Sequence, residues 1–494
     1  MHDLIVVGGG VNGAGVARDA AGRGLNVLLL ERDDLAAATS SWSSKLIHGG
    51  LRYLELHEFR LVSEALAERE ILLATARHLV WPSRFVMPHV PQLRPRWMIR
   101  AGLFLYDHLG VFAHARRTSR VSLPHSQAVR IDRPPFGNGL KGGLSHGFAY
   151  SDCRVDDARL VVGNAMAARD AGATVWTRTE CVAGWRDAGV WRLRLRGAAG
   201  EREVCARAVV NAAGPWVKRL LNERLGQPSR ESVRLVKGSH IVLPRLYEGR
   251  HAFILQNDDR RVVFMIPYEG AFTLVGTTDV PVDDEGDAHA SDAEVEYLCR
   301  AVNRYLATPV APAQVVWRFA GVRPLYDDGA SDPSAVTRDY TLRVDDAAGR
   351  APLVSIYGGK ITTYRRLAEQ VMDRLAPYFP GLASAWTAGC CLPGSDFGPS
   401  GRDAARDDFL ARYPAIDQRT LRGLFRRHGA LAPAVVGDGK LGEDFGGGLH
   451  AREVDYLRER EWACTAEDVL WRRTKCGLHM SDAQRSRVAQ VLGA

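Results

Sequence analysis

A chain of 494 residues is too long for one ordinary core, so two or three domains are expected, and a composition 46% hydrophobic and 25% charged excludes a disordered or fibrous protein. The formal net charge of +8 comes from dispersed arginines with no polybasic tract or nucleic-acid motif, which argues against nucleic acid and for an anionic substrate, an anionic membrane surface, or both. Eight cysteines without metal or redox spacing fit a reducing compartment, the first strand starts too early to leave room for a signal peptide, and no apolar run is long enough to span a bilayer.

The first thirty-one residues form the stretch around which the chain is organised. Asp3 to Val7 reads as a buried strand, Gly8, Gly10 and Gly13 follow at G-x-G-x-x-G spacing, a helical segment runs to Gly24, and Val27 to Leu30 is a second strand ending at Glu31. Glycines let a backbone approach a pyrophosphate, a helix N-terminus offers N–H groups and positive dipole, and the carboxylate receives ribose hydroxyls. With every part in order, the stretch points to a bound dinucleotide.

Thr39 to Ser44 is rich in small hydroxyl residues and leads to Lys45, His48, Gly49, Gly50, Leu51, Arg52 and Tyr53, a composition suited to a loop close to a flat or phosphate-bearing cofactor, or to an ordinary turn. Leu61 to Ala76 reads as a helix. Pro82, Pro88, Pro91 and Pro95 break the pattern before Trp97 to Leu109, where Arg96, Arg100 and Asp107 share one side of a helical wheel and Trp97, Met98, Phe104, Leu105 and Leu109 surround the rest. That pattern suits an interfacial membrane helix and a core helix equally.

Asp156 caps a helix through Ala171, Thr174 to Thr177 starts a strand, Trp185 to Leu195 is a further strand, and Val204 to Asn211 is another that turns at Ala212, Ala213, Gly214 and Pro215. This late strand and turn resembles the one at which flavoproteins of this general type return to the dinucleotide site, so the cofactor domain is expected to be discontinuous. Lys237 to Leu243, Val262 to Ile266 and Thr273 to Thr278 suggest a separate sheet. Val354 to Tyr357 closes on Gly358, Gly359 and Lys360 before a helix from about Thr363 to Leu375, and charge-rich helical patterns dominate from Trp386 onward.

Twelve sequence blocks resemble the FAD-dependent, membrane-associated glycerol-3-phosphate dehydrogenases, the aerobic bacterial type above all. They include DLIVVGGGVNGAGVARDAAGRGLNVLLLE, SSKLIHGGLRYLE, NAAGPWVK, KGSHIV, VGTTDV, GVRPL, TRDYTL, YGGKITTYRRLAE and LWRRTK, and they span nearly the whole chain. Two departures stand out: Ala213 where threonine is common, and the segment from Ala113 to Gly143, which is little like the family. The resemblance implies an α/β fold like that of D-amino-acid and glycine oxidases, in which a Rossmann-like FAD-binding domain interleaves with an antiparallel-sheet substrate domain and an all-helical C-terminal domain follows. The expected boundaries are 1–80, 145–235 and 320–380 for the FAD-binding domain, 81–144 and 236–319 for the substrate-binding and membrane-facing domain, and 385–494 for the helices.

The resemblance also implies oxidation of sn-glycerol 3-phosphate to dihydroxyacetone phosphate, electrons passing through FAD to membrane quinone at the inner face of the cytoplasmic membrane, and a homodimer. Gly8, Gly10, Gly13, Glu31 and Gly214 are then expected at the dinucleotide. Ser43, Ser44, Lys45, His48, Gly49 and Leu51 resemble the family's flavin-facing loop, as do Gly359, Lys360, Ile361 and Thr362 on the far side. Arg52 and Arg323 are the expected phosphate ligands because a guanidinium forks onto phosphate oxygens, with Tyr53 and Thr278 as hydroxyl neighbours. His240 is the expected base, with His48 its competitor, and Lys360 is expected to stabilise negative charge on the reduced flavin. No residue cluster has metal-ligand spacing. The rival readings are an oxygen-reducing oxidase of the same superfamily, an amine or amino-acid oxidase, and a catalytically silent flavin-binding module.

Overall fold

The computed structural model describes residues 1–90, 94–114, 123–229, 231–259, 261–327 and 339–493. Pro91, part of the 113–143 segment and the start of the TRDYTL block lie outside them. The chain opens with strand His2–Val7, helix Val11–Gly22 and strand Val27–Leu30. His2–Val7 is central in an eight-stranded sheet whose path runs Tyr340–Ala347, Arg350–Gly358, Gly200–Asn211, His2–Val7, Val27–Leu30 and Thr174–Trp176. All neighbours on this path are parallel except the edge strand Tyr340–Ala347. Helices cover both faces of a parallel sheet, so its strands are continuous apolar runs, as Leu4, Ile5, Val6, Leu28 and Leu29 show by being wholly buried.

The expected single strand Trp185–Leu195 is instead two, Glu180–Asp187 and Val190–Gly197, paired as a hairpin that extends the Gly200–Asn211 strand. Ala188 and Gly189 both have positive φ (49° and 83°), the backbone of a two-residue hairpin turn that matches strand twist.

The second sheet has ten strands and is mainly antiparallel. Its spine is Val233–Pro244, paired on one side with Trp317–Tyr326 and on the other with Phe272–Gly276. Val262–Tyr268, Ala252–Gln256, Val80–Pro88, His146–Val155 and Leu46–Ile47 follow in order. Helix Asp292–Asn303, started by a capping box at Ser291, packs Val295, Leu298 and Val302 over Ile241, Leu243 and Phe253 on one face of this sheet.

This topology moves two expected boundaries. His146–Val155 and Trp317–Tyr326 pair within the second sheet, although residues 145–235 and 320–380 were assigned to the FAD-binding domain. Both strands lie where the chain passes between the sheets, and their long pairings with Val80–Pro88 and Val233–Pro244, distant in the chain, decide which ladder they join.

Helix Arg96–His114 lies against the second sheet through Ile99, Leu103 and Tyr106, spaced for one helical face. Its opposite side shows Trp97 at 73% and Phe104 at 60% exposure, with Met98 and Leu105 beside them. The C-terminal residues form helices Gly401–Arg412, Gln418–His428, Ala451–Glu461 and Asp482–Leu492, with one short hairpin of Asp444–Gly446 and Leu449–His450. This unit docks on the first sheet through buried ion pairs, Arg473 to Asp34 at 2.7 Å, Arg159 to Glu461 at 2.5 Å and Lys475 to Asp156 at 2.7 Å. Removing one member of such a pair would strand a buried charge.

Candidate active site

A cavity of ≈680 Å³ runs from Arg32, Thr179 and Trp216 past the glycine turn to His240, Arg323 and Lys360, along the C-terminal ends of the parallel strands. Ligand crevices form there in open α/β sheets because the helix N-termini and strand-end loops converge. The three fingerprint glycines differ in what they require. A Cβ at Gly13 would lie 1.8 Å from the Gly8 carbonyl oxygen, and one at Gly8, whose φ is +116°, would lie 2.4 Å from the Ala212 oxygen. These two close the turn on itself. A Cβ at Gly10 would meet only Ser40 Oγ at 3.1 Å, so Gly10 leaves its backbone open to the cavity. The adjoining Val11 N–H, at the helix start, donates to Ser40 Oγ at 3.0 Å.

Glu31 accepts the Gly9 N–H at 2.7 Å and the Asp33 N–H at 2.8 Å and faces the cavity. Burial pushes its carboxyl up to about 7 against the pull of those two donors. Asn12 donates to the Gly358 carbonyl at 3.3 Å, while its Oδ1 is buried with no protein partner, a polar atom left for a ligand. A crevice along the strand ends, an open glycine backbone, a cavity-facing acid and an orphaned amide oxygen together fit FAD.

The loop after the fingerprint divides between the cavity and the interior. Ser43, Ser44, His48 and Leu51 line the cavity. Lys45 does not: its φ is +58°, its side chain is buried, and Nζ bonds Asp157 at 2.9 Å and the Ser41 carbonyl at 2.8 Å. Gly49 does not either, since its N–H donates to Tyr106 Oη at 2.8 Å and a Cβ would lie 2.7 Å from Leu66 and from that oxygen. Lys45 and Gly49, expected at the cofactor with the rest of the flavin-facing loop, thus lie outside the cavity lining. Both are packing positions that hold the loop. His48 donates its N–H to Thr362 Oγ1 at 3.2 Å, and burial lowers its imidazole pKa.

The second sheet contributes through strand register. Val236, Gly238 and His240 alternate onto one face, opposite Arg323, Gly321 and Phe319. A Cβ at Gly238 would fall 2.1 Å from Arg323 Nη2, so the missing side chain is what lets the guanidinium cross the strand. His240 is 2% exposed, stacks on Phe319 at 4.9 Å and 15°, and approaches Ser44 Oγ through Nε2 at 2.9 Å. Burial first, then the charges of Arg323 and Lys45, hold its pKa well below the ordinary histidine value, so it is neutral at neutral pH. A neutral imidazole has a lone pair available for a proton.

Arg323 bonds Asp279 through Nη1 and Thr277 Oγ1 through Nη2 at 3.0 Å. Thr278 points away: it is 1% exposed and donates to Glu294 Oε1 at 2.8 Å, so the expectation of a substrate contact there is corrected in favour of Thr277, which lines the cavity. The strand ends at Gly276, and beyond it Thr277 faces the cavity while Thr278 faces Glu294. Arg52 and Tyr53 reach the same end of the cavity from the turn Leu51–Leu54. Among the described residues the Arg52 guanidinium has no ion-pair partner. Gly359, Lys360, Ile361 and Thr362 enter from the far side, where the strand Arg350–Gly358 delivers them, and Lys360 Nζ lies 3.7 Å from the centre of the Tyr53 ring. Gly214 completes the lining below the dinucleotide half.

Asn12, Trp42, Thr277 and Asp279 line the cavity and were not singled out from sequence. Asn12, Thr277 and Asp279 sit inside blocks already recognised, GGGVNGAG and VGTTDV, so their motif was visible while their direction was not. Trp42 had no such signal; it packs on Phe319 at 5.4 Å.

Known proteins share this architecture. The family described as "FAD dependent oxidoreductase" matches residues 3–365, and that described as "C-terminal domain of alpha-glycerophosphate oxidase" matches residues 385–494. The chain is 52% identical to a protein named glycerol-3-phosphate dehydrogenase from Pseudomonas aeruginosa, over 100% of this chain and 95% of that one. It is 48% identical to D-erythritol 1-phosphate dehydrogenase from Brucella abortus, over 98% and 96%. The crystal structure of glycerol-3-phosphate dehydrogenase from Bacillus halodurans complexed with FAD superposes with a TM-score of 0.75 at 24% identity, covering 100% of this chain and 94% of that chain, a likeness of fold.

Proposed function

The chain belongs to the FAD-dependent glycerol-3-phosphate dehydrogenase family and takes FAD as its cofactor, and from that premise we propose that it oxidises sn-glycerol 3-phosphate to dihydroxyacetone phosphate and passes the electrons to membrane quinone. The observation that carries this reading is the meeting of Arg323, His240 and the Lys360 turn at one end of a crevice whose other end is built for a dinucleotide.

The residues divide the work. Gly10, Glu31 and Gly214 would hold the dinucleotide part of the cofactor, and His48, Leu51 and Gly359 to Thr362 would border its ring system. When bound, FAD supplies the hydride acceptor for the C2–H bond. Arg52 and Arg323 take the phosphate, two cations being matched to a dianion, and Thr277 adds a hydroxyl beside Arg323. Holding the ester by its phosphate fixes where C2 lies, which converts a diffusional encounter into a positioned one. His240, kept neutral by burial, accepts the C2 hydroxyl proton. Lys360 brings a positive charge to the flavin side of the cavity, where it favours the more negative reduced state. The first sheet with its helices serves as the FAD-binding unit, the second sheet as the substrate unit, and residues 385–494 as a helical cap on the first.

Quinone is apolar and stays in the bilayer, so its site must open toward lipid. The exposed Trp97 and Phe104 on helix Arg96–His114, with Arg96 and Arg100 nearby, suit the headgroup boundary at the inner face of the cytoplasmic membrane. No described helix is long and apolar enough to cross a membrane, so the association proposed is peripheral or monotopic. A homodimer, checked by sedimentation, completes the reading.

The test is anaerobic. The yellow holoenzyme mixed with sn-glycerol 3-phosphate should lose its flavin absorbance saturably, and a short-chain quinone should restore it. Failure to bleach would favour a silent flavin module. Peroxide formed stoichiometrically in air would favour an oxidase. A parallel titration with D-erythritol 1-phosphate decides whether the site prefers the longer polyol phosphate that names the Brucella abortus relative.

A further inference from the structure

His240 is nearly closed off from the cavity it borders. Only 2% of it is exposed, one face lies on Phe319, its Cδ2 and Nε2 edge lies over Gly276, and Nδ1 is buried with no side-chain partner, the Gly238 backbone being the polar group beside the ring. The remaining nitrogen, Nε2, is met by Ser44 Oγ at 2.9 Å, and Ser44 itself is half-buried and lines the cavity. Ser44 and His240 both line the cavity, and the serine hydroxyl is the group that meets the imidazole Nε2 there.

The loop is built to keep that hydroxyl in place. Lys45 adopts φ +58°, a left-handed conformation that is unfavourable for a non-glycine residue and persists only where its surroundings hold it. The hold is Asp157: its Oδ1 and Oδ2 take Lys45 Nζ at 2.9 Å each, and Oδ2 also takes the Ser43 hydroxyl at 2.7 Å. One buried carboxylate thus pins the residues on both sides of Ser44, turning 43 and 45 toward itself and leaving 44 toward His240.

We propose that Ser44 is a catalytic proton relay between the substrate's C2 hydroxyl and His240. The inference rests on the reading of His240 as base given above. The C2–O–H bond breaks as its proton bonds to Ser44 Oγ, the original Ser44 O–H breaks as its proton forms N–H at Nε2, and serine is regenerated beside an imidazolium. The C2–H electron pair leaves with its hydrogen as the hydride whose acceptor the cofactor supplies, and C2 becomes a carbonyl. The charged groups facing the imidazole are Arg323 from strand Trp317–Tyr326 and Lys45 from the loop, each partnered by a carboxylate, Asp279 and Asp157 respectively. Both cations keep the resting imidazole free to accept.

The experiment follows anaerobic flavin reduction by sn-glycerol 3-phosphate in stopped flow, using holoenzyme of wild type, Ser44→Ala, Ser44→Thr and His240→Gln, in mixtures of H2O and D2O. Wild type should give a bowed dependence on deuterium fraction, the signature of two protons in flight. Ser44→Ala should be slowed about 100-fold, with half-saturation by substrate within about twofold and a linear deuterium dependence. Ser44→Thr, which keeps the hydroxyl, should recover to within about tenfold of wild type and remain bowed. A linear dependence in wild type overturns the relay, as does Ser44→Ala reducing at the wild-type rate while His240→Gln is slow. His240→Gln reducing at the wild-type rate overturns the base assignment itself.

Discussion

Gly276 lies opposite His240 in paired strands, and a Cβ at position 276 would fall 2.1 Å from the imidazole Cδ2. The glycine is therefore the space in which the imidazole rests. Gly276→Ala should displace the ring without unfolding the sheet, since overpacking one buried site typically costs about 1–3 kcal/mol. Flavin reduction should slow by about 100-fold while FAD content stays near one per chain. Full activity in this variant, measured in the same preparation as its flavin content, would contradict the placement of His240.

The two arginines proposed to take the phosphate stand in different surroundings. Arg323 is steered by Asp279 and Thr277, whereas Arg52 has no ion-pair partner among the described residues. Arg52→Ala should weaken glycerol 3-phosphate by the worth of charge-assisted hydrogen bonds, about 1.5–3 kcal/mol or about 10- to 100-fold in half-saturation. Arg323→Lys keeps the charge and loses the fork, so it should lower the reduction rate as well as affinity. Steady-state titrations over substrate separate the two, and an unchanged KM for Arg52→Ala would remove it from the phosphate site.

What the sequence made legible was whatever is decided locally. Strand, glycine turn, helix and acid succeed one another within residues 1–31, and their positions follow from periodicity and turn chemistry alone. The membership of His146–Val155 in the second sheet was hidden because its main partner, Val80–Pro88, is chosen by long-range pairing. The hairpin inside 180–197 was missed although Asp187, Ala188 and Gly189 carry turn composition. At the site, block identity was legible and side-chain direction was not. The left-handed Lys45 turns a cationic side chain into the interior, and the end of the strand at Gly276 exchanges the roles of Thr277 and Thr278. Each depends on one backbone angle or one strand end that composition does not encode.

The exposed side of helix Arg96–His114 carries Trp97 at 73% and Phe104 at 60% exposure. Burying such a side chain in a lipid interface is worth about 1.5–3 kcal/mol. Replacing both with serine should shift the partition between vesicles and solution by at least about 100-fold, with turnover on a soluble dye unchanged. Flotation with anionic vesicles measures this, and undiminished binding would place the membrane contact elsewhere.

Acid should loosen the C-terminal unit. Burial alone would raise the Glu453 carboxyl, but Arg427 and His428 together hold it at about 2; Asp468, opposed likewise by burial, is held at about 2 by the N–H groups of Cys464 and Thr465 and by Arg472 and Arg178. Folded values below the ordinary 4.5 and 3.8 mean that these groups stabilise the protein above about pH 4.5, and that the stabilisation is lost as pH falls from there toward 2. Melting temperature against pH should therefore drop across that window in wild type and drop less steeply in Glu453→Gln. Identical slopes would show that the buried pair does not set the acid limit.

The most direct measurement is a crystal structure of the holoenzyme with dihydroxyacetone phosphate bound. The phosphate should lie between Arg52 and Arg323, with the C2 oxygen on the side of Ser44 and His240. A product whose phosphate sits away from both guanidinium groups would contradict the central claim that these two arginines position the substrate for oxidation.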